Sequence, residues 1–304
     1  MERLLVTGVD GCAGANLALA LSDRCQVLGL HTRQAVACDA FETTTCDLAN
    51  AQHLELVIDE WRPTWLIHCG PLCASWWDTT ECLGADEAVI AGRLARLALE
   101  TKFRLTVLSS DCVFAGPRMF HTEESEPTNA SARAAHTVAL ERALDSRTLV
   151  VRTHAYGWSP PGTPTSAAEG MAESLLSGMT ATASGLSHAT PILASDLAEL
   201  LWRAFELRLE GMYHMGGAER ASHYRFACEL AASLGVNDSH VRVEPKEPAW
   251  PDETSLNSRR ARRALECPLP LLCEGLTRFA AQATNGWRGN WRVAGEHAYQ
   301  QTAA

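Results

Sequence analysis

Short apolar segments alternate with segments of helical periodicity through the first half of the chain. Five of the apolar segments have the length of a buried strand, and helical patterns separate them, which is typical of a parallel sheet wound with helices. The predicted strands are residues 3–7, 26–30, 65–69, 105–109 and 149–152. The predicted helices are residues 14–22, 51–61, 85–101 and 130–144. This half therefore predicts right-handed β–α–β crossovers and a doubly wound α/β sheet of the Rossmann type.

The second half predicts a smaller α/β lobe that covers the carboxyl edge of the sheet, where open α/β folds bind ligands. A segment rich in Pro, Gly, Ser and Thr at residues 159–166 is a predicted loop that leaves the sheet. The elements predicted beyond it are helices at 167–177, 195–209 (with Ser195 as N-cap), 222–234 and 270–283, strands at 212–215 and 241–243, and an apolar segment at 190–193. We predict a Rossmann core over residues 1–158 and a lobe over residues 159–304, whose strands are free to return to the core.

Composition narrows the class of protein. A formal charge of −10 argues against nucleic acid as a partner, because phosphate binding needs a concentrated basic face. The basic cluster at residues 259–263, preceded by a predicted helix cap at Ser255 or Ser258, is interpreted as a solvated helical face. No apolar run approaches the roughly 20 residues that span a bilayer, and the first residues lead directly into a strand. Eleven cysteines without CxxC pairs or zinc-like spacing predict buried thiols in a reducing cytoplasm and no metal site.

A glycine turn follows the first predicted strand and precedes the first helix. Gly8, Gly11 and Gly14 have the GxxGxxG spacing of dinucleotide-binding folds. In such a turn the first glycine allows a tight turn, the second lets the backbone approach a pyrophosphate, and the third permits close helix–strand packing. A turn without a ligand is the alternative, but the strand–turn–helix context favours a pyridine-dinucleotide site.

The residues after the second predicted strand bear on which dinucleotide binds. Where an acid would bind a ribose 2′-hydroxyl the chain has Arg33, which suits a 2′-phosphate and favours NADP over NAD. Asp47 is placed either to touch the adenine amine or to cap the next helix. The predicted cofactor-binding set is Gly8, Gly11, Cys12, Gly14, Arg33, Asp47 and Gly70.

Short motifs in a fixed order extend over nearly the whole chain. They are residues 47–48, 62–63, 108–116, 123–127, 152–153 with 156–157, 195–198, 211–214 and 255–258. Together they resemble the dTDP-4-dehydrorhamnose reductase family of extended short-chain dehydrogenases. The resemblance implies an NAD(P) cofactor and a 4-keto sugar nucleotide as substrate. It also implies that Ser110 polarises the ketone and that Asp111, Cys112 and Tyr156 contact the substrate.

The chain departs from this family at the residues that deliver the proton. The family carries Tyr and Lys four residues apart, on one face of a helix aimed at the nicotinamide. This chain has only two lysines, Lys102 and Lys246, and no tyrosine precedes either by four residues. The tyrosine that usually follows Asp111 is Cys112, and the segment 153–156 is one residue shorter than the family's and lacks its tryptophan.

Two registers are open for the missing pair. Counted from the loop before the helix, the Tyr and Lys positions become Ser131 and Ala135. Counted back from Glu141, they become Arg133 and Thr137. Neither register restores a phenol and an ammonium group.

Ketone reduction by this chain would need another acid. A serine hydroxyl is too weak an acid to replace the phenol, and loss of general acid catalysis typically costs about 10²–10⁴ in rate. His136 on the same helix, and His121 and His154 on nearby loops, titrate in the right range, although each is as well explained as a structural or solvated residue. Trp76 and Trp77 either stack on a sugar or base, plug the site, or simply pack; simple packing is favoured.

Two functions stay open. The missing pair favours a regulatory or non-redox protein that binds NADP without turnover, similar in logic to the regulatory β subunit of methionine adenosyltransferase. The alternative is a reductase, or a repurposed enzyme, that acts on a 4-keto sugar nucleotide or related ketone with a substitute acid. The expected partner is a small nucleotide; a sugar nucleotide, a partner enzyme subunit and a homodimer stay open. Trp287 and Trp291 either pack on a partner or fray.

Overall fold

The computed structural model describes residues 1–78, 86–244 and 252–294. Its strands are β1 Glu2–Thr7, β2 Cys25–His31, β3 Val36–Cys38, β4 Glu42–Thr45, β5 Trp65–His68, β6 Arg104–Ser110, β7 Leu149–Thr153, β8 Ala155–Tyr156, β9 Ala181–Ala183, β10 Ser187–Ala189, β11 Ile192–Leu193, β12 Gly211–His214, β13 Ala221–Ser222, β14 Val241–Val243, β15 Asp252–Glu253 and β16 Trp291–Val293. Its helices are α1 Cys12–Leu21, α2 Ala51–Trp61, α3 Glu87–Thr101, α4 Ala132–Arg142, α5 Ala167–Leu176, α6 Ala194–Glu206, α7 His223–Ser233, α8 Arg259–Leu265 and α9 Leu272–Gln282. None of these described helices is long and apolar enough to cross a bilayer.

Seven parallel strands form the central sheet, in the order β12-β7-β6-β5-β1-β2-β4. The chain winds outward from β1 to β4 on one side, then returns to β5 and winds outward on the other. The switch point therefore lies between β1 and β5, where doubly wound folds bind ligands. This confirms the predicted fold class, and β1, β2, β5, β6 and β7 match the five predicted strands to within one residue at each end. β12, from the second half of the chain, completes one edge.

Helices cover both faces of this sheet, which is why its inner strands are mostly apolar on both sides, whereas the edge strand β4 is polar and largely exposed. One layer contains α1, α6 and α8, with Trp65 of β5 stacked on Phe205 at 4.5 Å between ring centroids. The other contains α2 and α3, which bury Leu54 and Ile90 among others. α2 has the predicted bounds, and α1, α3 and α4 lie within two residues of theirs.

The lobe has its own apolar core, formed by α5, α7 and α9 around Tyr156, Phe226 and Phe279. Its strands are short and pair across long sequence distances: β9 with β14, and β10 with both β13 and β15. The lobe lies against the segment that leaves β7, so it stands beside the carboxyl edge of the sheet.

The start of α6 differs from the prediction. Leu193 occupies the N-cap position, and Ser195 Oγ instead accepts a hydrogen bond from Gln282 Nε2 of α9 at 3.0 Å. The prediction of Ser195 as N-cap is wrong because β11 pairs with β8 up to Leu193, and the helix begins directly from that strand.

α8 carries the basic cluster, with Ser258 in its N-cap position. Its arginines are exposed, whereas Ala261 and Leu265 are buried. The helix therefore presents the cluster as the solvated face that the sequence indicated. The ten cysteines among the described residues are free thiols.

The segment 285–294 packs on this chain's own core. Trp287 Nε1 donates a hydrogen bond to Asn16 Oδ1 of α1 at 2.8 Å. Trp291 is buried, with its ring edge-on to Phe41 at 5.6 Å between centroids. β16 pairs antiparallel with β3. Neither packing on a partner nor fraying describes these two tryptophans.

Candidate functional site

The turn between β1 and α1 is built on three glycines. Gly8 has a φ of +69°, and a Cβ there would lie 1.9 Å from the Cys69 carbonyl oxygen. A Cβ on Gly14 would lie 2.2 Å from the Gly8 carbonyl oxygen, so these two glycines let strand, turn and helix pack at backbone distance. A Cβ on Gly11 would meet only the Gly8 oxygen, at 3.4 Å. Gly11 therefore faces open space at the start of α1.

α1 begins without a capping side chain. Its N-cap residue, Gly11, has no side chain that could accept a hydrogen bond, whereas the side chains of Asn50, Ser131 and Ser166 cap α2, α4 and α5. The first N–H groups of a helix need acceptors from outside the helix, and its N-terminus favours an anion. The open backbone and these donors fit the diphosphate of a dinucleotide.

Asp10 binds the loop after β2 to the glycine turn. Its Oδ2 atom accepts hydrogen bonds from three consecutive backbone N–H groups, those of Thr32, Arg33 and Gln34, at 3.3, 2.9 and 3.1 Å. The Arg33 side chain, which the sequence assigned to a 2′-phosphate, is exposed. Sequence reasoning missed Asp10; an acid inside the glycine turn was the signal available.

Asp47 follows β4 and makes a local contact, whereas the Cys12 thiol forms a hydrogen bond with Ser166 of the lobe. Asp47 is exposed, and its Oδ1 accepts a hydrogen bond from the Ala49 N–H at 3.0 Å. Asn50, not Asp47, caps α2, so that alternative is wrong; the adenine contact stays a prediction. Cys12 starts α1, and burial, followed by the nearby Asp78, raises the pKa of its thiol well above the usual value.

Gly70 makes room for a buried polar chain after β5. His68 Nδ1 lies 2.8 Å from Thr7 Oγ1, and His68 Nε2 lies 3.2 Å from Glu87 Oε2 of α3. A Cβ on Gly70 would lie 1.8 Å from that Glu87 oxygen. A Cβ here would therefore displace the Glu87 carboxylate from its position beside His68, and the predicted cofactor contact of Gly70 stays a prediction.

Ser110 ends β6 and is fully buried. Its Oγ lies 2.7 Å from the Ala74 carbonyl oxygen and 3.2 Å from Asp111 Oδ1, and it accepts the Cys112 N–H at 3.2 Å. A hydroxyl has one hydrogen to donate, and the shorter distance assigns it to Ala74. The hydroxyl expected to polarise a ketone is therefore bonded to the chain's own backbone.

Asp111 is fully buried, and both of its oxygens are engaged. Oδ2 lies 2.6 Å from His154 Nδ1 and 2.5 Å from Thr254 Oγ1, while Oδ1 accepts the Trp76 N–H at 3.0 Å. Burial by itself would raise the pKa of Asp111, but His154 and these hydrogen bonds outweigh burial and lower the pKa. Asp111 is therefore a carboxylate that His154 and the loop after β5 share.

One of the two registers counted for the missing pair lies on the buried face of α4. Arg133 and Thr137 are buried, whereas Ser131 caps the helix and Ala135 is exposed. Thr137 Oγ1 donates to the Arg133 carbonyl oxygen at 2.9 Å. The buried face of α4 thus carries an arginine and a threonine four positions apart.

A buried ion pair fixes α4 on the sheet in this register. Arg152 of β7 binds both oxygens of Glu141, at 2.7 Å from Nε to Oε1 and 2.6 Å from a terminal nitrogen to Oε2. Ser109 Oγ donates to Oε1 at 2.6 Å. Each charged side chain is 5% exposed. A bidentate pair of this kind fixes the orientation as well as the distance of the two elements.

The Arg133 guanidinium joins α4 to the β5 loop, residues 69–78. One terminal nitrogen contacts the carbonyl oxygens of Ala74 and Ser75, the latter at 2.9 Å, and the other lies 3.3 Å from the Asp78 carbonyl oxygen. The Nε atom has no hydrogen-bond partner among the described residues. Arg133 and Ser110 thus both bond to Ala74, one from the helix and one from the sheet.

Two tryptophans carry the β5 loop across to the lobe. The Trp76 indole N–H donates to the Asp252 carboxylate. The Trp77 ring stacks on His223 at 4.6 Å and lies edge-on to His154 at 4.4 Å between centroids. Both indoles pack on their own chain, and this packing bridges the cleft between the sheet edge and the lobe.

No described tyrosine hydroxyl forms a hydrogen bond with Ser110. Tyr156 lies in the lobe core with its hydroxyl against α9, since a Cβ on Gly275 would lie 2.5 Å from that oxygen; burial raises the Tyr156 pKa. The Tyr213 ring lies 4.8 Å from the guanidinium of an arginine on α8. Tyr299 falls outside the described residues.

The candidate substitute acids occupy three different settings. His136 is half-buried on α4, one position before the inward residue of that turn. His121 is buried, and burial lowers its pKa. His154 is buried against a carboxylate. Cys112 is fully buried, and burial raises the pKa of its thiol, which leaves it a neutral thiol rather than a nucleophile.

Comparison with known families gives a match over residues 1–285 to the model described as the RmlD substrate binding domain. The chain belongs to that family. The match covers the central sheet, the glycine turn, α4 and the lobe together. No curated protein matches the chain.

Solved structures with the fold of this RmlD-family chain include sugar-nucleotide enzymes. A hypothetical dTDP-4-dehydrorhamnose reductase from Sulfolobus tokodaii is 23% identical, with a TM-score of 0.71 over 86% of this chain and 94% of that chain. A dTDP-4-dehydrorhamnose reductase from Bacillus anthracis, in complex with NADP, is 21% identical, with a TM-score of 0.75 over 93% and 99%. A dTDP-glucose 4,6-dehydratase from the same organism, in complex with NAD, is 14% identical, with a TM-score of 0.76 over 94% and 98%. At these identities the likeness shows a shared fold.

Proposed function

We propose that this protein binds a pyridine dinucleotide at its glycine turn and does not reduce a keto sugar at the rate of an ordinary reductase. It would then be a nucleotide-binding regulatory or non-redox member of the RmlD family. One observation carries the proposal. Arg133, bonded to backbone carbonyls of the β5 loop, takes a buried position on α4, and this is the position that counting back from Glu141 assigns to the tyrosine of the family's pair.

The cofactor half of the proposal is supported by the backbone around Gly11. A Cβ there would meet a single carbonyl oxygen at 3.4 Å, and the first turn of α1 has no side-chain cap. Two structures with this fold hold NADP and NAD. When bound, a reduced nicotinamide supplies a hydride; the chain's own contribution at this end is to bind and orient the diphosphate with backbone amides.

The catalytic half is opposed by the chemistry of the residues on α4. A guanidinium keeps its proton at any physiological pH, so Arg133 cannot deliver one to a developing alkoxide. Thr137 carries no charge that could lower the pKa of a neighbouring acid or hold a ribose. Loss of the general acid alone typically lowers the rate by about 10²–10⁴.

The substrate side is also filled by the chain itself. Ser110 donates its hydrogen to Ala74, and Asp111 shares its oxygens with His154, Thr254 and Trp76. A sugar nucleotide would have to displace these buried hydrogen bonds, and each buried polar group left unpaired costs about 1–3 kcal/mol. The site is therefore satisfied internally rather than prepared for a ketone.

The test combines binding with turnover. NADH and NADPH are titrated against the protein, and binding is measured by energy transfer from tryptophan to the nicotinamide. Reduction of a 4-keto-6-deoxy sugar nucleotide is then followed by the loss of absorbance of the reduced nicotinamide. We expect saturable binding and a kcat at least about 10²-fold below the roughly 10 s⁻¹ that is typical of enzymes. Wild-type turnover at ordinary rates would overturn the proposal.

Two matched double variants test which positions on α4 a Tyr–Lys pair has to occupy for reductase activity. Arg133→Tyr with Thr137→Lys places the phenol and the ammonium on the buried face of α4. Ser131→Tyr with Ala135→Lys places the same groups at the cap and on the exposed face. We expect a rise in residual reductase activity from the first pair alone. An equal rise from both would show that the register of α4 does not control the chemistry.

A second candidate is a reductase that uses His154 as its acid. His154 is buried with Nδ1 2.6 Å from Asp111, next in sequence to Ser110, and a carboxylate-bound imidazole is a common acid–base pair. Turnover with a bell-shaped pH profile that His154→Gln abolishes, while His136→Gln leaves it intact, would establish this candidate instead.

A further inference from the structure

The adenosine side of the proposed cofactor site contains an acid that comes from the glycine turn and not from the end of the second strand. In dinucleotide-binding α/β folds, the ribose of adenosine lies beside the end of the second strand, where an acid binds its 2′-hydroxyl and an arginine accommodates a 2′-phosphate. Here β2 ends at His31, and Thr32, Arg33 and Gln34 follow without an acid. The structure brings Asp10 to this place from the glycine turn.

The Asp10 carboxylate occupies a concave group of amides. Three consecutive N–H groups converge on Oδ2 at 3.3, 2.9 and 3.1 Å. Successive amides in a turn form a site for an anion such as phosphate, and this one already holds a carboxylate of the chain. Among the described residues, the other oxygen, Oδ1, accepts no hydrogen bond. Asp10 thus presents free lone pairs beside the end of β2.

We infer that Asp10 selects a dinucleotide whose adenosine ribose has a free 2′-hydroxyl, as in NAD(H), and rejects one with a 2′-phosphate, as in NADP(H). The inference rests on the proposed function and adds its cofactor preference. A ribose hydroxyl can donate to Asp10 Oδ1. A 2′-phosphate, with a charge of about −1.5 to −2, would face a carboxylate that already uses the amides a phosphate needs.

Arg33 does not reverse this preference. Its side chain is exposed and has no partner among the described residues, so its attraction for a phosphate acts through water and salt. Asp10, by contrast, is held in place by three backbone amides. Like charges in contact are disfavoured by a factor of about ten to a hundred or more at partly solvated sites. Arg33 alone predicted NADP; with Asp10 in place we expect NAD.

Removal of the charge should convert the same amides into a phosphate site. In Asp10→Asn the side chain keeps its shape and its accepting oxygen but loses the charge. In Asp10→Ala the amides of residues 32–34 are vacated and stand beside the Arg33 guanidinium. We expect both variants to bind NADPH more tightly than wild type, and Asp10→Ala with Arg33→Ala to lose much of that gain.

The experiment is isothermal titration of four proteins with four probes: NADH, NADPH, ADP-ribose and 2′-phospho-ADP-ribose. The proteins are wild type, Asp10→Asn, Asp10→Ala, and Asp10→Ala with Arg33→Ala. We expect wild type to prefer the ligand without the 2′-phosphate at least about tenfold in both probe pairs, and the single variants to lower that ratio about tenfold or more. Because the last two probes lack nicotinamide, the ratio is read without any turnover.

The outcomes separate this inference from the proposed function. Equal affinity of wild type for both members of each pair, or tighter binding of the phosphorylated member, overturns the inference and leaves the proposed function standing. Absence of binding by all four probes overturns both. An unchanged ratio in folded Asp10→Asn, checked by circular dichroism, also overturns the inference. Should Asp10→Ala fail to fold, Asp10→Asn and the wild-type ratio still decide.

Discussion

The glycine turn and the Ser110 region stand at two ends of one proposed cofactor site, and they differ in what the chain leaves open. At the glycine turn, Gly11 faces open space and the first turn of α1 has no capping side chain. Around Ser110, the hydroxyl, the Asp111 carboxylate and the Arg133 guanidinium bond mostly to other parts of the same chain. The first region depends on backbone shape and the second on a few side chains. The proposed function follows from this difference, because nucleotide binding at the glycine turn does not depend on the side chains around Ser110.

The largest effect is expected from an added methyl group in the glycine turn. Gly8→Ala places a Cβ 1.9 Å from the Cys69 carbonyl oxygen at a φ of +69°, so strand and turn have to separate. We expect a loss of about 4 kcal/mol or more in the free energy of unfolding, measured in urea, and no measurable NADH binding.

Two other glycines provide the controls. Gly178 has a similar φ of +70° but nothing within 4 Å, so Gly178→Ala isolates the backbone cost, about 1–2 kcal/mol. Gly11→Ala should leave the fold intact and weaken nucleotide binding. If Gly8→Ala and Gly178→Ala destabilise equally, the close approach of the turn to Cys69 is not what requires a glycine.

The next effect concerns the ion pair that fixes α4. Arg152→Met leaves the Glu141 carboxylate buried without its cation, and we expect a loss of about 3 kcal/mol in unfolding free energy. Nucleotide affinity should change little in the folded variant, because the pair lies at the Ser110 end of the site. Arg96→Met removes two exposed pairs, with Glu100 of α3 and Glu55 of α2, and should leave the melting temperature nearly unchanged. Equal effects of both variants would contradict the anchoring role.

A smaller effect depends on pH. Burial, and then the nearby His154, lower the pKa of His223 to about 4. Between pH 6.5 and 4 the unfolded chain therefore binds a proton there that the folded chain does not, and stability falls as pH falls. From pH 7 to 5 this group costs about 2 kcal/mol at roughly 1.4 kcal/mol per pH unit.

His223→Phe should remove that part of the pH dependence and keep the stacking on Trp77. Urea unfolding at pH 7 and pH 5 measures the difference, which we expect to be about 2 kcal/mol smaller in the variant. His214, whose pKa burial and Arg152 lower to about 3, keeps a slope of the same sign in both proteins. An unchanged slope would show that His223 does not titrate as its burial implies.

The smallest effect separates Asn50 from Asp47. Asn50 Oδ1 accepts the His53 N–H at 3.2 Å and caps α2, so Asn50→Ala should cost about 1 kcal/mol. Asp47→Ala should cost less than that in stability. If Asp47 touches the adenine, Asp47→Ala should weaken the binding of NADH, measured by titration, whereas Asn50→Ala should not. Loss of stability without loss of NADH affinity in Asp47→Ala would contradict the predicted contact between Asp47 and the adenine.

Sequence alone predicted five strands of the central sheet because they are mostly apolar and are separated by whole helices, whereas the polar edge strand β4 gave no such pattern. The glycine turn was visible for a similar reason, since its spacing is local. The two-residue strands β8, β13 and β15 were not predicted. Each is too short to show a hydrophobic period and forms only by pairing with a strand that is distant in sequence, as β15 does with β10.

The parts of the site that sequence missed also depend on distant contacts. Asp10 meets residues 32–34 only after β2 has paired with β1. Burial of Arg133 and exposure of Ala135 follow from how α4 packs, and the two counts along the chain could not distinguish them. The contacts of Trp287 with α1 and of Trp291 with Phe41 likewise join segments that are distant in sequence.

The pairing of β16 with β3 has a consequence for synthesis. β3 leaves the ribosome long before its antiparallel partner, Trp291–Val293. Until then β3 presents an unsatisfied ladder edge, the kind of surface that recruits strands from other molecules. Chains truncated before residue 291 are therefore expected to aggregate more readily than chains that contain β16.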